Sequence, residues 1–95
     1  MLERHMRMKT PVILLVDDEQ TIIESLAGSL EDEGYSLLTA SDGNQAMGII
    51  KSQSVDIVFL DIWLPGMDGM ETLKSIKDFN SEIEVVMMTG HGTVN

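Results

Sequence analysis

Four residues of this chain stand where side-chain chemistry is usually done, each at the end of an apolar run. Val12-Ile13-Leu14-Leu15-Val16 stops at Asp17-Asp18-Glu19, Val55 to Leu60 stops at Asp61, and Glu84 to Met88 stops at Thr89-Gly90. Three carboxylates and a hydroxyl could serve as metal ligands, as a nucleophile or as a proton carrier. If they meet, the meeting is costly. Two carboxylates about 4 Å apart repel by roughly 4 kcal/mol at an effective dielectric of ~20, and a third adds to that. Such a cluster persists when protonation or a cation relieves it. Hard oxygen ligands of this kind suit Mg²⁺ or Mn²⁺, with water completing the shell. His5 and His91 are not spaced to make a zinc site with these acids, and the absence of cysteine excludes thiolate ligands and cysteine catalysis.

Whether the acids meet depends on the elements that carry them. An unbroken apolar, branched run such as Val12–Val16 suits a strand buried on both faces of a parallel sheet. Ile22, Ile23, Leu26, Ala27 and Leu30 recur at helical spacing between Thr21 and Glu33, and Gly34 is placed to end that helix. Tyr35 to Ala40 reads as a second strand. After the turn Ser41-Asp42-Gly43 comes a short helix carrying Ala46, Met47, Ile49 and Ile50. Val55 to Leu60 is the third strand and Pro65-Gly66 a loop. Asp68 and Glu71 form a D-x-x-E capping pair for a helix expected to turn Met70, Leu73 and Ile76 inward. Glu84 to Met88 is the fourth strand.

This alternation predicts an open, doubly wound α/β sheet with helices on both faces. In such sheets ligands bind past the carboxyl ends of the strands, beside a reversal of strand order. Asp17, Asp18, Asp61 and Thr89 would then share one edge, although they are far apart in the chain.

Composition narrows the function further. The 95 residues are 43% hydrophobic and 23% charged, enough for one modest core. No apolar run approaches the ~20 residues of a membrane span, and no secretory signal is formed at the start. Residues 1–10 read as a flexible lead-in that holds Arg4, Arg7 and Lys9. From Thr10 onward fifteen acids face three lysines, a net of −12. A body so acidic repels a phosphate backbone, which argues against direct nucleic-acid binding. For most of these acids solubility is sufficient reason. Seven of the eight methionines divide between the lead-in (Met1, Met6, Met8) and expected core positions (Met47, Met70, Met87, Met88), so packing accounts for the latter.

The segments Leu14-Leu15-Val16-Asp17-Asp18-Glu19, Asp61-Ile62-Trp63-Leu64-Pro65-Gly66-Met67-Asp68-Gly69 and Met88-Thr89-Gly90 resemble the receiver domain of two-component response regulators. The likeness runs from about Pro11 to Asn95, and the ending Thr89-Gly90-His91-Gly92-Thr93-Val94 is similar to the enhancer-binding, nitrogen-regulator branch. The resemblance implies a flavodoxin-like fold of strand order 2-1-3-4 in residues 11–95. It implies Asp61 as phosphoacceptor for a phosphoryl group carried on a histidine of a sensor histidine kinase, in the cytoplasm. Asp18, Asp61 and the backbone carbonyl of Trp63 would hold Mg²⁺ (or Mn²⁺) directly, and Asp17 through a water. Thr89 would bind a phosphoryl oxygen as the switch residue, and Pro65 to Gly69 would keep the Asp61 turn in shape.

The sequence also departs from the family. Receiver domains continue through a fourth helix, a fifth strand bearing an essential lysine, and a fifth helix, whereas this chain ends at Asn95. Lys51, Lys74 and Lys77 all fall in predicted helices, so the catalytic lysine has no counterpart. Three expectations compete: a phosphoryl-accepting signalling module rather than a metabolic enzyme, a non-catalytic receiver fragment that acts as an interaction or dimerisation module, and a phosphatase of the haloacid dehalogenase type. The last needs an acid two residues after its nucleophile, where Trp63 stands. A sheet lacking its fifth strand leaves Glu84–Met88 as an edge, so a homo-oligomer is expected.

Overall fold

In a computed structural model of the chain, which describes residues 10–64 and 68–88, the first apolar run forms strand β1 (Val12–Val16). Helix α1 (Gln20–Asp32), strand β2 (Ser36–Ala40), helix α2 (Gly43–Ser52), strand β3 (Ile57–Asp61), helix α3 (Gly69–Phe79) and strand β4 (Glu84–Met88) follow. All strand pairings are parallel, in the order β2-β1-β3-β4. The expected doubly wound sheet is therefore present.

Local signals set the helix ends. Gly34, at φ +96°, lets the chain turn left-handed after α1; its N–H donates to Glu31 O and that of Tyr35 to Leu30 O. These two bonds form a Schellman motif and satisfy the last carbonyls of the helix. Asp42 Oδ1 accepts from Gln45 N at 2.8 Å to cap α2, and Asp68 Oδ1 accepts from Glu71 N at 2.8 Å to cap α3.

Side chains alternate across the sheet. Leu14, Val16, Ala40, Val58 and Leu60 face α2 and α3 and form the main core with Ala46, Ile50 and Ile76. Ile13 and Leu15 are buried on the opposite face, the side of Ile23 of α1.

One expectation fails. Met70 is 58% exposed, and the inner stripe of α3 is Gly69, Thr72, Leu73 and Ile76. Those residues keep the i, i+3, i+4, i+7 spacing of one helical face. The stripe begins on a glycine and a threonine, which an apolar pattern does not pick out. Three strand boundaries also move: β2 begins at Ser36, and β3 begins at Ile57 and takes in Asp61. Asp56 is occupied otherwise. Its Oδ2 accepts from Val12 N at 2.8 Å, its N–H donates to Val12 O, and its carbonyl accepts from Glu84 N.

Candidate functional site

β1 and β3 are neighbours, yet the chain visits β2 on one side of β1 before crossing to β3 on the other. This reversal puts a crevice at the carboxyl ends of β1 and β3. Asp17 follows the last residue of β1 and Asp61 is the last residue of β3. Carboxylate oxygens of Asp17, Asp18 and Asp61 all lie within 4.8 Å of one another.

Asp17 and Asp61 are held alike. Asp17 Oδ1 accepts from Glu19 N at 2.9 Å, and Asp61 Oδ1 accepts from Trp63 N at 3.1 Å. Each acid thus closes a turn on the residue two positions later, a habit of aspartates at the ends of regular elements. The backbone beneath is also tied down, with Asp17 N donating to Ala40 O and Ile62 N to Met88 O. Asp17 is 1% exposed and Asp61 0%, whereas Asp18 faces solvent.

Two ionised carboxylates 4.8 Å apart repel by about 3.5 kcal/mol at an effective dielectric of ~20, and the solvated Asp18 adds a smaller, screened amount. Asp17 Oδ2 is buried with no hydrogen-bond partner among the described residues. A buried, unpartnered carboxylate oxygen on an acid clustered with two others fits a small divalent cation, as does a set of three hard oxygen donors with Asp18 open to solvent.

Among the described residues the lysines sit elsewhere. Lys74 pairs with Asp78 at 3.2 Å, Lys77 Nζ donates to Ile83 O at 2.6 Å at the start of β4, and Lys51 lies in the last turn of α2. Two surface concavities, one between α2 and α3 and one beneath the amino ends of the strands, include none of the three acids. The expected roles of Thr89 and of Pro65–Met67 fall outside the described residues, as does His91. Trp63 was expected to contribute its carbonyl. The structure adds a contact that sequence did not suggest, from its N–H to Asp61, and leaves the residue 65% exposed.

Known proteins resemble this chain in sequence and fold. The chain is 49% identical over 84 residues to the nitrogen assimilation regulatory protein NtrX of Azorhizobium caulinodans, covering 86% of this chain and 18% of that protein. It is 39% identical over 88 residues to sporulation initiation phosphotransferase F of Bacillus subtilis, covering 93% of this chain and 71% of that one. Among solved structures, NtrX from Brucella abortus in complex with ADP superposes with a TM-score of 0.79 at 43% identity, over 83% of this chain and 18% of that one. A CheY-like receiver domain protein from Methanospirillum hungatei superposes with a TM-score of 0.84 at 29% identity, over 90% and 69%. The chain thus spans about a fifth of the length of the NtrX proteins it matches. The family described as response regulator receiver domain matches residues 13–95. With that match, the shared strand order and the acids at its reversal, the chain belongs to the response regulator receiver domains.

Proposed function

We propose that residues 11–95 accept a phosphoryl group on Asp61 from a phosphohistidine of a sensor histidine kinase, in the cytoplasm. The observation that carries this reading is the convergence of Asp17, Asp18 and Asp61 at the β1/β3 crevice, with Asp61 buried and its Oδ1 held by Trp63 N. An oxygen of Asp61 attacks phosphorus, the histidine N–P bond breaks, and the imidazole leaves with that electron pair and takes up a proton. A carboxylate is a weak nucleophile toward an anionic phosphate, so positioning and charge neutralisation supply most of the acceleration.

Asp18, Asp61 and the Trp63 carbonyl would hold Mg²⁺ (or Mn²⁺), with Asp17 acting through a water. When bound, the cation would cancel the repulsion among the acids and stabilise charge on the phosphoryl oxygens. Asp17 fixes the β1 end of the crevice through its bond to Glu19 N. The Trp63 N–H restricts Asp61 to one orientation, which lowers the cost of reaching the attack geometry. Thr89 is assigned a phosphoryl oxygen. The product is a signal rather than a metabolite, read as a changed surface.

A second reading, a non-catalytic interaction module that forms homo-oligomers, is favoured by the lysine positions and by β4. Among the described residues β4 is an edge strand, with Val86 44% exposed on it. Titrating beryllium fluoride with Mg²⁺ while following Trp63 fluorescence tests the choice. Saturable quenching that needs both components supports the phosphoacceptor, and no response supports the interaction module.

A further inference from the structure

The two helical sides of the sheet carry charge differently. α1 holds Glu24, Glu31 and Asp32 and no basic residue. α2 and α3 lie side by side on the other face of the sheet. They hold Lys51, Lys74 and Lys77 against Glu71 and Asp78, and these are all the lysines among the described residues. In a body of net −12, this is the helical side where both signs occur.

A groove of about 460 Å³ runs between the two helices, walled by Asn44, Met47 and Lys51 of α2 and by Ser75, Asp78 and Phe79 of α3. Phe79 also borders a second hollow, of about 330 Å³, beneath the amino ends of the strands. It is 50% exposed, so a bulky aromatic stands as a ridge between two hollows. A lone exposed apolar residue is ordinary, but an aromatic knob beside a hollow lined by Met47 has the shape of an interface anchor. Asp78 already pairs with Lys74 at 3.2 Å on the surface, and a carboxylate can accept from a second ammonium.

An interface between two copies related by a two-fold axis must be complementary to itself. An axis along the groove lays α3 of one copy over α2 of the other. Lys51 then faces Asp78 of the second copy, Asp78 faces its Lys51, and each Phe79 enters the other groove beside Met47. Through α1 the same operation would set acid on acid. A partner of a single charge sign is also disfavoured, since it would meet like charge on one wall of the groove whichever sign it carried.

We propose that the α2–α3 face is a homodimer interface, anchored by Phe79 and held in register by reciprocal Lys51–Asp78 pairs. Helices of ten and eleven residues make a face about 15 Å long, so the buried area falls in the small, transient class under about 1,200 Å². The proposal gives a face to the self-association reading and does not depend on whether Asp61 accepts a phosphoryl group. It differs from pairing through β4, and the test separates the two.

Sedimentation equilibrium of the full chain is followed from micromolar to millimolar protein at physiological salt. Phe79→Ala, Lys51→Glu, Asp78→Lys and Val86→Lys are compared with it, all at exposed positions. Phe79→Ala is expected to weaken the dimer about tenfold or more. Lys51→Glu and Asp78→Lys, each alone, set like charges face to face twice per dimer and should weaken it about tenfold as well. Mixed one to one, those two variants bring opposite charges together at both pairs and should restore an affinity within about twofold of wild type. Val86→Lys, which blocks β4, should leave the dimer unchanged. A chain that stays monomeric at millimolar concentration overturns the proposal and the self-association reading with it. A dimer lost in Val86→Lys but kept in Phe79→Ala overturns the proposal and leaves self-association through β4. Should Phe79→Ala not fold, the charge variants decide, and a mixture that fails to recover overturns the proposal.

Discussion

Asp17, Asp18 and Asp61 differ in what surrounds each carboxylate, and this separates their expected behaviour. Asp17 and Asp61 are buried together, so the metal-free chain carries their repulsion as a cost to stability. Asp61→Asn keeps the shape and removes one charge, and should stabilise the metal-free protein by about 1–3 kcal/mol, read from a thermal melt in chelator. Mg²⁺ should raise the melting temperature of the wild type and much less that of Asp61→Asn, since a ligand stabilises only the state it binds. Asp18→Asn should weaken Mg²⁺ more than Asp17→Asn, because Asp18 would ligate directly; equal losses in a Trp63 titration would cancel that distinction. The acids were legible in the sequence because each ends an apolar run. The Trp63 N–H contact was not, since an N–H carries no residue-type signature and only the closed turn reveals its partner.

At the scale of elements, the strands and caps were legible because each rests on local chemistry: β1 is uniformly apolar, Gly34 alone among the described residues takes a positive φ, and Asp42 and Asp68 stand three residues before the N–H groups they accept from. The inner face of α3 was not legible. Its register is set by Gly69 against the Asp61–Ile62 backbone, and a glycine adds nothing to a hydrophobic pattern. The start of β3 was misplaced because Asp56 pairs with β1 through both backbone and side chain, a contact 44 residues apart in the chain. Two helical glycines offer a clean test of propensity. Gly28 and Gly48 are exposed, and an added Cβ meets nothing. Gly28→Ala and Gly48→Ala should each stabilise the fold by about 0.5–1 kcal/mol in urea titrations. Gly34→Ala should destabilise it by about 1 kcal/mol through its left-handed backbone.

For the whole molecule, charge and edge oppose one another. Among the described residues β4 is an edge of the sheet and carries the exposed Val86, and its one charged residue, Glu84, stands at the start of the strand. Edges of this kind invite pairing unless blunted by charge or proline. On the other side of the sheet's balance, fifteen acids against three lysines beyond residue 9 keep copies apart at low salt. Association should therefore grow with ionic strength, and light scattering at micromolar protein across a salt series reads it. A mass that stays near 10.5 kDa at all salt concentrations would mean that β4 is protected in another way.

The central claim is that Asp61 accepts a phosphoryl group in a metal-dependent step. Incubating the chain with acetyl phosphate, with Mg²⁺ or with chelator, and mapping the adduct by peptide mass spectrometry tests it most directly. The account predicts a single phosphoryl group on Asp61, formed only with Mg²⁺ and absent from Asp61→Asn. An adduct on another residue, equal yield in chelator, or no adduct with Mg²⁺ present would contradict it.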